Sequence, residues 1–261
     1  MRRRLLPERP RPLVFAHRGL SAAAPENTMA AFAAARGSGS PGIELDVHLS
    51  SDGRLVVIHD DWTGRVEGGK PGSGLRVEAS SYPELSALDV GSWKGTGFSG
   101  ERIPLLEDVL EEFSKDLYID IEIKSRSASD SGLELKLASI LRAARAEGSC
   151  LVSSFNPFSI RRFRALCPEV PTAIIWTDSD ELYWFLRRGQ GRWIGCADAL
   201  KPEHRLVNTR GSRARTGLLP SALPILPWTV DSEEEASRLL AAGVEGIISN
   251  DPRLLGLGCC F

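Results

Sequence analysis

The chain has 261 residues, of which 42% are hydrophobic and 25% are charged, and its formal net charge is −2. This near-neutral balance argues against non-specific nucleic-acid binding, which needs a basic surface. The sequence has no apolar run of the ~18 residues that a membrane-spanning helix requires.

The start of the chain carries Arg2, Arg3 and Arg4, but no apolar segment follows them. A cleaved secretion signal is therefore not expected. We predict strands at 13–16, 43–49, 55–58, 117–123, 151–154, 172–176, 193–197, 225–230 and 246–249. We predict helices at 28–36, 105–113, 133–146, 157–166, 180–188 and 233–242.

Two stretches lack a clear period. Residues 62–100 are rich in glycine, serine and proline, and we interpret them as an insertion or long loop. Residues 200–220 remain without an assigned element.

The alternation of strands and helices predicts a parallel sheet with helices outside it. Eight main strands, near residues 13, 43, 118, 151, 172, 193, 225 and 246, suit a (β/α)8 TIM barrel. We expect one domain over 1–261, with 62–100 as a small insertion after the second strand. A doubly wound sheet is the alternative, but no G-x-G-x-x-G follows the first strand.

Acidic residues alternate with apolar ones in two predicted strands. Glu44 and Asp46 share one face of the second strand, and Asp120 and Glu122 share one face of 117–123. Burying these acids together is costly unless a cation compensates them. We expect Glu44, Asp46 and Glu122 to bind a hard divalent cation, Mg²⁺ or Ca²⁺. Asp120 lies one pleat deeper, where a supporting role is expected.

The alternative interpretation of these acids is simple ion pairing with Arg18 or Lys124. Both cations lie at the predicted rim beside the carboxylates. Carboxylates, a metal and two cations together also suit an anionic phosphoryl group. The spacing of these residues does not by itself identify a substrate.

Three of the four histidines fall within the first 60 residues. His17 and His59 follow predicted strands, and the carboxyl ends of barrel strands are where active sites assemble. We expect one of them to donate and the other to accept a proton. His48 is in phase with the acids and is expected to line the barrel, whereas His204 is expected at the surface.

The order of short motifs resembles the glycerophosphodiester phosphodiesterase family over about residues 13–252. The motifs are Phe15-Ala16-His17-Arg18-Gly19, Pro25-Glu26-Asn27-Thr28, Glu44-x-Asp46-Val47, Asp52-Gly53 with Val57-x-His59-Asp60, Ile121-Glu122-Ile123-Lys124, Ser153-Ser154-Phe155 and Trp228-Thr229-Val230. The resemblance implies a TIM barrel and metal-dependent hydrolysis of glycerophosphodiesters to sn-glycerol 3-phosphate and an alcohol.

The same resemblance implies a role for each matching residue. Glu44, Asp46 and Glu122 would be the metal ligands, and His17 and His59 would be the acid–base pair. Arg18 and Lys124 would bind the phosphate. Trp228 would form a wall of the substrate pocket. Two positions depart from the family pattern: Asp231 stands where asparagine is frequent, and Asn250-Asp251 where Thr-Asp is frequent. Both are expected at the rim, away from the metal ligands.

Three other functions compete with this one. A lysophospholipase D-like phosphodiesterase would use the same site on a lipid headgroup, with Trp93 and Phe98 either contacting a membrane or covering the barrel mouth. A catalytically silent binding module would have lost a histidine or an acid. A barrel isomerase or aldolase would need a Schiff-base lysine, for which Lys124 is the strand-borne candidate.

The five cysteines form no C-x-x-C pair, so a zinc site or disulfide framework is not expected. This pattern suits a reducing compartment, and we expect a cytoplasmic protein involved in glycerol and lipid metabolism. The expected partner is a small glycerophosphodiester, without nucleic acid or a membrane-spanning segment. The leaving alcohol, the metal, the attacking nucleophile and the oligomeric state remain open.

Overall fold

Strands and helices alternate in the structure, a computed structural model that describes residues 12–125, 127–180, 182–208, 215–216, 219–220 and 223–255. The strands are β1 (Leu13–His17), β2 (Gly42–Leu49), β3 (Leu55–Val57), β4 (Tyr118–Ile123), β5 (Cys150–Ser154), β6 (Thr172–Trp176), β7 (Ala199–Pro202), β8 (Val207–Asn208), β9 (Arg215–Thr216), β10 (Leu219–Pro220) and β11 (Gly246–Ser249). The helices are α1 (Met29–Gly37), α2 (Tyr82–Ser86), α3 (Leu106–Phe113), α4 (Leu133–Ala144), α5 (Pro157–Leu166), α6 (Gly191–Gly195) and α7 (Glu233–Ala241).

The main sheet is parallel along the order β11-β1-β2-β4-β5-β6-β7. Strand β3 pairs antiparallel with the end of β2. The short strands β8, β9 and β10 form a separate antiparallel sheet. Helices between successive parallel strands give the α/β class predicted from the sequence.

The segment 224–230 connects the two edges of the main sheet. On one side, Leu226 N–H donates to the carbonyl of Leu200 in β7 (2.8 Å), and Trp228 N–H donates to the carbonyl of Pro202 (3.1 Å). On the other side, Val230 N–H donates to the carbonyl of Ile248 in β11 (2.9 Å). The predicted strand 225–230 therefore lies between β7 and β11, although its pairing with β7 consists of isolated bridges.

The inside of the curled sheet has two layers. The apolar layer, toward the amino ends of the strands, consists of Leu13, Phe15, Tyr118, Leu151, Ala173, Ala199, Leu226 and Ile248. One pleat further along, the charged layer begins with residues such as Glu44, Asp120 and Lys201, all buried. Because side chains alternate along a strand, the outward positions are apolar and pack beneath the helices.

Side-chain caps fix the start of two helices near the site. Thr28 Oγ1 accepts a hydrogen bond from Ala31 N–H at the start of α1 (3.2 Å). Asn156 accepts from the backbone of Phe158 and Ser159 at the start of α5. These caps satisfy amide groups that lack an intrahelical partner.

Residues 62–100 contain α2, two short 3₁₀ turns and a hydrophobic cluster of their own. Val66, Val77, Leu85 and Val90 pack there against Val56 and Ile58, which adjoin the main sheet. The segment is thus a packed unit between β3 and α3.

Two predicted elements are wrong. Residues 193–197 were expected to form a strand, but Gly191–Gly195 form α6, and the strand beside β6 is Ala199–Pro202. A short apolar run does not distinguish a strand from a helix, and Trp193 is in fact 64% exposed. A helix was expected over 180–188, but the described residues 182–188 form bends and turns, and Gly189 follows with a positive φ of 76°. The described residues contain no helix that is long and apolar enough to cross a membrane.

Candidate active site

The register of β2 and β4 places four acids side by side. Glu44 is the direct partner of Asp120, and Asp46 is the direct partner of Glu122. One carboxylate oxygen from each of Glu44, Asp46 and Glu122 lies within 4.8 Å of the other two, and all three residues are buried. Three convergent oxygens from rigid strands are the donor set that a hard divalent cation prefers. The three acids predicted as metal ligands are therefore brought together.

Two lysines compensate part of this negative charge. Lys124 Nζ lies 2.9 Å from Asp46 Oδ1 and 2.5 Å from Glu122 Oε1. Lys201 Nζ lies 2.6 Å from Asp120 Oδ2 and donates to Ser153 Oγ at 2.9 Å. Burial disfavours the charged lysines, but the neighbouring carboxylates raise the pKa of both above the usual value. The alternative of simple ion pairing thus accounts for several of these acids.

Glu44 is the acid that these lysines compensate least. Burial, followed by the neighbouring charge of Asp46, raises the pKa of Glu44 well above its usual value. Its Oε2 accepts a hydrogen bond from the backbone N–H of Arg18 (3.1 Å) and lies 3.9 Å from His17 Nε2. A carboxylate in this position gains most from a bound cation, so the residues present fit a divalent metal.

His17 and His59 are each oriented through Nδ1, but by different partners. His17, at the end of β1, lies with Nδ1 2.7 Å from the amide oxygen of Asn250. Burial and the charge of Arg18 lower the pKa of His17 to about 4. His59 lies with Nδ1 2.6 Å from the carboxylate of Asp60. In both histidines Nε2 is the ring nitrogen away from this partner, and Nε2 of His17 faces Glu44.

Arg18 lies beside the acids in a left-handed backbone conformation with φ of 56°. Its Nε is 3.5 Å from Asp46 Oδ2, and its Nη1 donates to Glu26 Oε1 at 2.8 Å. Asn27 donates from its side chain to Asp46 Oδ2 (2.8 Å). Gly19 follows with φ of 77°, and a Cβ there would meet the backbone of Ala31 at 2.6 Å, so glycine is needed at this turn.

Of the remaining predicted residues, Trp228 and His48 contact residues of the site, whereas His204 lies away from it. Trp228 is half-buried, packs edge-on against Phe155 at 5.7 Å, and donates from Nε1 to the carbonyl of Lys201 (2.9 Å). His48 is buried, and its Nε2 lies 3.1 Å from the backbone carbonyl of His59. It therefore contacts the backbone of the loop that carries His59. His204 is half-buried and pairs with Glu235, away from the acids.

Several site residues were not predicted. Lys201 lies in the stretch without an assigned element, and it corrects the view that Lys124 is the strand-borne lysine of the site. Arg65 lies in the aperiodic segment, where no pattern marks it. Glu26 and Asn27 were visible in the quoted motifs, but nothing in the sequence showed that they contact Arg18 and Asp46.

The fold and site define an α/β protein of the TIM-barrel class with a candidate metal centre at the carboxyl end of its strands. A sequence profile of the glycerophosphoryl diester phosphodiesterase family matches residues 17–254. A glycerophosphodiester phosphodiesterase of Caldanaerobacter subterraneus is 36% identical over 248 residues, covering 93% of this chain and 96% of the relative. A glycerophosphodiester phosphodiesterase of Bacillus altitudinis is 34% identical over 248 residues, covering 92% of this chain and 94% of the relative.

Solved structures agree with this assignment. A phosphodiesterase of Oleispira antarctica, in complex with the product sn-glycerol-3-phosphate, is 28% identical with a TM-score of 0.73, covering 94% of this chain and 95% of that one. A glycerophosphodiester phosphodiesterase of Agrobacterium tumefaciens is 25% identical with the same TM-score of 0.73, covering 93% and 97%. The chain belongs to the glycerophosphoryl diester phosphodiesterase family, which is a family of enzymes. The predicted family is confirmed.

Proposed function

We propose that the chain hydrolyses glycerophosphodiesters to sn-glycerol 3-phosphate and an alcohol, with a divalent cation held by Glu44, Asp46 and Glu122. The observation that carries the proposal is the pairing of β2 with β4, which brings these three carboxylates within 4.8 Å of one another. The bound cation, Mg²⁺ or Ca²⁺, would supply charge stabilisation at the phosphoryl group. The product in the Oleispira structure supports the choice of substrate class.

The two histidines provide the proton transfers in this proposal. His17 directs Nδ1 at a neutral amide, so its Nε2 lone pair faces the site and accepts the proton of the nucleophile. His59 directs Nδ1 at the Asp60 carboxylate, whose negative charge compensates a proton carried on Nε2. His59 therefore donates the proton to the leaving alcohol.

Arg18 and Lys124 supply positive charge for the phosphate. Their side chains are 18% and 15% exposed, so they border the solvent while contacting the buried acids. A phosphodiester oxygen would replace part of these ion pairs with charge-assisted hydrogen bonds. Trp228, half-buried beside Phe155, would form one wall of the pocket.

The wider architecture follows the same proposal. We take the chain as one barrel domain over 1–261, with residues 62–100 inserted after the second barrel strand, β2, and its antiparallel partner β3. Its ends at 1–11 and 256–261 lie outside the described residues. The cytoplasmic location and the role in glycerol and lipid metabolism stay predictions from the sequence.

The direct test is release of glycerol 3-phosphate from glycerophosphocholine by the purified protein with Mg²⁺, with Ca²⁺ and with EDTA. We expect release that requires a metal and that falls about 10²–10⁴-fold in His17→Ala. Absence of release by folded protein with either metal would overturn the proposal. Faster turnover of a lysophospholipid than of glycerophosphocholine would move the assignment to a lysophospholipase D-like enzyme.

The nucleophile is decided by a second substrate. A 2-deoxy analogue lacks the glycerol hydroxyl that could attack phosphorus internally and give a cyclic phosphate. Full activity on this analogue would assign the attack to water, whereas loss of activity with normal binding would assign it to the hydroxyl.

A further inference from the structure

Arg65 contacts two carboxylates that each hold a different proposed site residue. Its Nη1 and Nη2 donate to the two oxygens of Glu26 at 2.8 and 2.7 Å. Its Nε donates to Asp60 Oδ2 at 2.7 Å, and Nη2 also reaches Asp60 Oδ1 at 3.1 Å. One guanidinium therefore joins Glu26 and Asp60 through four hydrogen bonds.

Each of these carboxylates faces the candidate site on its other side. Glu26 Oε1 accepts from Arg18 Nη1 at 2.8 Å, and Asp60 Oδ1 lies 2.6 Å from His59 Nδ1. Arg65 thus sits one contact behind both a proposed phosphate-binding group and a proposed proton donor. The two groups come from distant parts of the chain, and Arg65 connects them from the segment 62–100.

We propose that Arg65 is a positioning residue that fixes Arg18 and His59 relative to each other. This inference rests on the proposed function, because it assigns the two groups it orients to the reaction. Arg65 is 30% exposed and Glu26 is 12% exposed, so the contacts are partly shielded from water. A planar guanidinium with five donors can bind two carboxylates at once, which a lysine ammonium cannot do in fixed geometry.

The kinetic test compares Arg65→Met with Glu26→Gln and Asp60→Asn on glycerophosphocholine. We expect Asp60→Asn mainly to lower kcat, Glu26→Gln mainly to raise KM, and Arg65→Met to do both. The loss in kcat is expected to be about 10²-fold, the effect of misplacing a reacting group by about 1 Å. In the double variants, removing Arg65 should add nothing to the kcat loss of Asp60→Asn or to the KM rise of Glu26→Gln.

The matched control is Arg76→Met, in the same segment. Arg76 pairs with Glu78 at 3.8 Å on the surface, with 59% of its side chain exposed, and its loss should leave both constants unchanged. Arg65→Lys should show a smaller rise in KM than Arg65→Met, since lysine restores one positive charge. Equal kcat and KM in Arg65→Met and the wild-type enzyme, or additive losses in the double variants, would overturn the proposal.

A second readout does not depend on activity. In ¹⁵N NMR of the histidine rings, Arg65→Met should shift the His59 signals while those of His204, bound to Glu235, stay in place. Unchanged His59 signals would refute the positioning role even if the enzyme is active. If Arg65→Met shifts the His59 signals but the wild-type protein is inactive, the positioning role stands and the proposed function is rejected.

A separate observation concerns a protruding loop, residues 182–186, here called the aromatic loop. Tyr183 is 69% exposed, Trp184 is 78% exposed and Phe185 is 39% exposed. Phe185 lies 5.8 Å from each of the other two rings. Leu182 and Leu186 are buried and anchor both ends of the loop in the hydrophobic core.

The aromatic loop follows β6 and therefore lies at the same end of the sheet as the candidate site. The stretch 182–193 contains Arg187, Arg188 and Arg192, and three acids, Asp178, Asp180 and Glu181, precede it in the sequence. Arg187 pairs with Asp180 at 2.7 Å, and Arg192 lies over the ring of Trp193 at 4.3 Å. The exposed rings are thus followed along the chain by three cationic side chains, of which Arg187 is paired with an acid.

We infer that the aromatic loop docks onto an anionic phospholipid surface. Tyrosine and tryptophan occupy membrane interfaces because each has an apolar body and a polar tip, and nearby arginines attract anionic headgroups. Docking through this loop would face the carboxyl end of the strands toward the lipid. The inference concerns the surface and is independent of the reaction.

The test is co-sedimentation with vesicles of phosphatidylcholine alone or mixed with phosphatidylglycerol. We expect binding to the mixed vesicles, a blue shift of tryptophan fluorescence, and roughly tenfold weaker binding in Trp184→Ala, as expected when one large ring loses its burial. Leu135→Ala is the control, since Leu135 is 60% exposed on α4, on the outside of the sheet.

The outcomes separate the possible occupants of the surface. Failure of the wild-type chain to bind mixed vesicles, or equal binding by Trp184→Ala, would overturn the inference. A dimer by light scattering that Trp184→Ala converts to a monomer would instead assign the aromatic loop to a second copy of this chain.

Discussion

The two halves of the main sheet carry different chemistry on their inner face. Strands β1, β2 and β4 contribute His17 and the four acids, whereas β5 and β7 contribute Ser153 and Lys201. The acids are therefore concentrated on one side, and Lys201 reaches them from the other. The second half thus supplies charge compensation through Lys201, while the first half supplies the groups that we propose to react.

The largest expected effect comes from the first half. His17→Ala should lower kcat about 10²–10⁴-fold, because it removes one of the two proposed proton-transfer groups. His204→Ala, in the second half and paired with Glu235, should retain full activity. Steady-state kinetics with glycerophosphocholine measures kcat for both variants. Similar losses of kcat in the two variants would contradict the assignment of the reacting groups to the first half.

Lys201→Met should cause the largest loss of stability. It leaves Asp120 buried without its cation, and breaking a buried pair costs about 3–5 kcal/mol. The double variant Lys201→Met/Asp120→Asn removes both charges and should recover most of the free energy of unfolding. Urea unfolding is the measurement, and a single variant as stable as the wild-type protein would show that the pair contributes little.

Glu26 links stability to acidic pH. Burial alone would raise its pKa, but Arg65 and Arg18 lower it to about 2 from the usual 4.5. An acid with a lowered pKa in the folded state stabilises the fold above pH 4.5, and this contribution disappears as pH falls through 2. At pH 7 Glu26→Gln should therefore be less stable by at most about 3 kcal/mol.

The check on this prediction is urea unfolding of both proteins between pH 7 and pH 2. The difference in their free energies of unfolding should narrow below pH 4.5. A gap that stays constant over this range would mean that the Glu26 charge is not what stabilises the fold.

Glu44→Gln tests whether the acids of the first half bind a metal ion. Its raised pKa means that the ionised acid destabilises the metal-free fold above the usual pKa, so the variant should be slightly more stable in EDTA. The wild-type protein should gain about 2.7 kcal/mol from a metal present at a hundredfold its Kd, and the variant much less. Thermal unfolding with Mg²⁺, Ca²⁺ and EDTA measures this, and equal metal-induced gains would exclude Glu44 as a ligand.

The acids could be predicted from the sequence because strand alternation is strict. In β2 and β4 every second residue is apolar and outward, which places Glu44, Asp46 and Glu122 inward without knowledge of the fold. Their closeness then follows from the neighbouring positions of β2 and β4 in the sheet.

The second half was harder to predict, because its signals are short and ambiguous. The apolar run at 193–197 fits either a helix or a strand, and the actual strand Ala199–Pro202 contains a lysine and a proline. Lys201 is identifiable as a site residue once its strand is placed beside β6. Arg65 acts through loop contacts, which have no period in the sequence.

The apolar layer beneath the charged layer determines how molecules reach the site. Phe15, Tyr118, Leu151, Leu226 and Ile248 are buried and fill the amino-terminal end of the sheet. A substrate, a water molecule and both products must therefore pass through the carboxyl-terminal mouth, and they compete for one passage. Any surface or macromolecule that covers this mouth controls delivery of substrate and escape of product together.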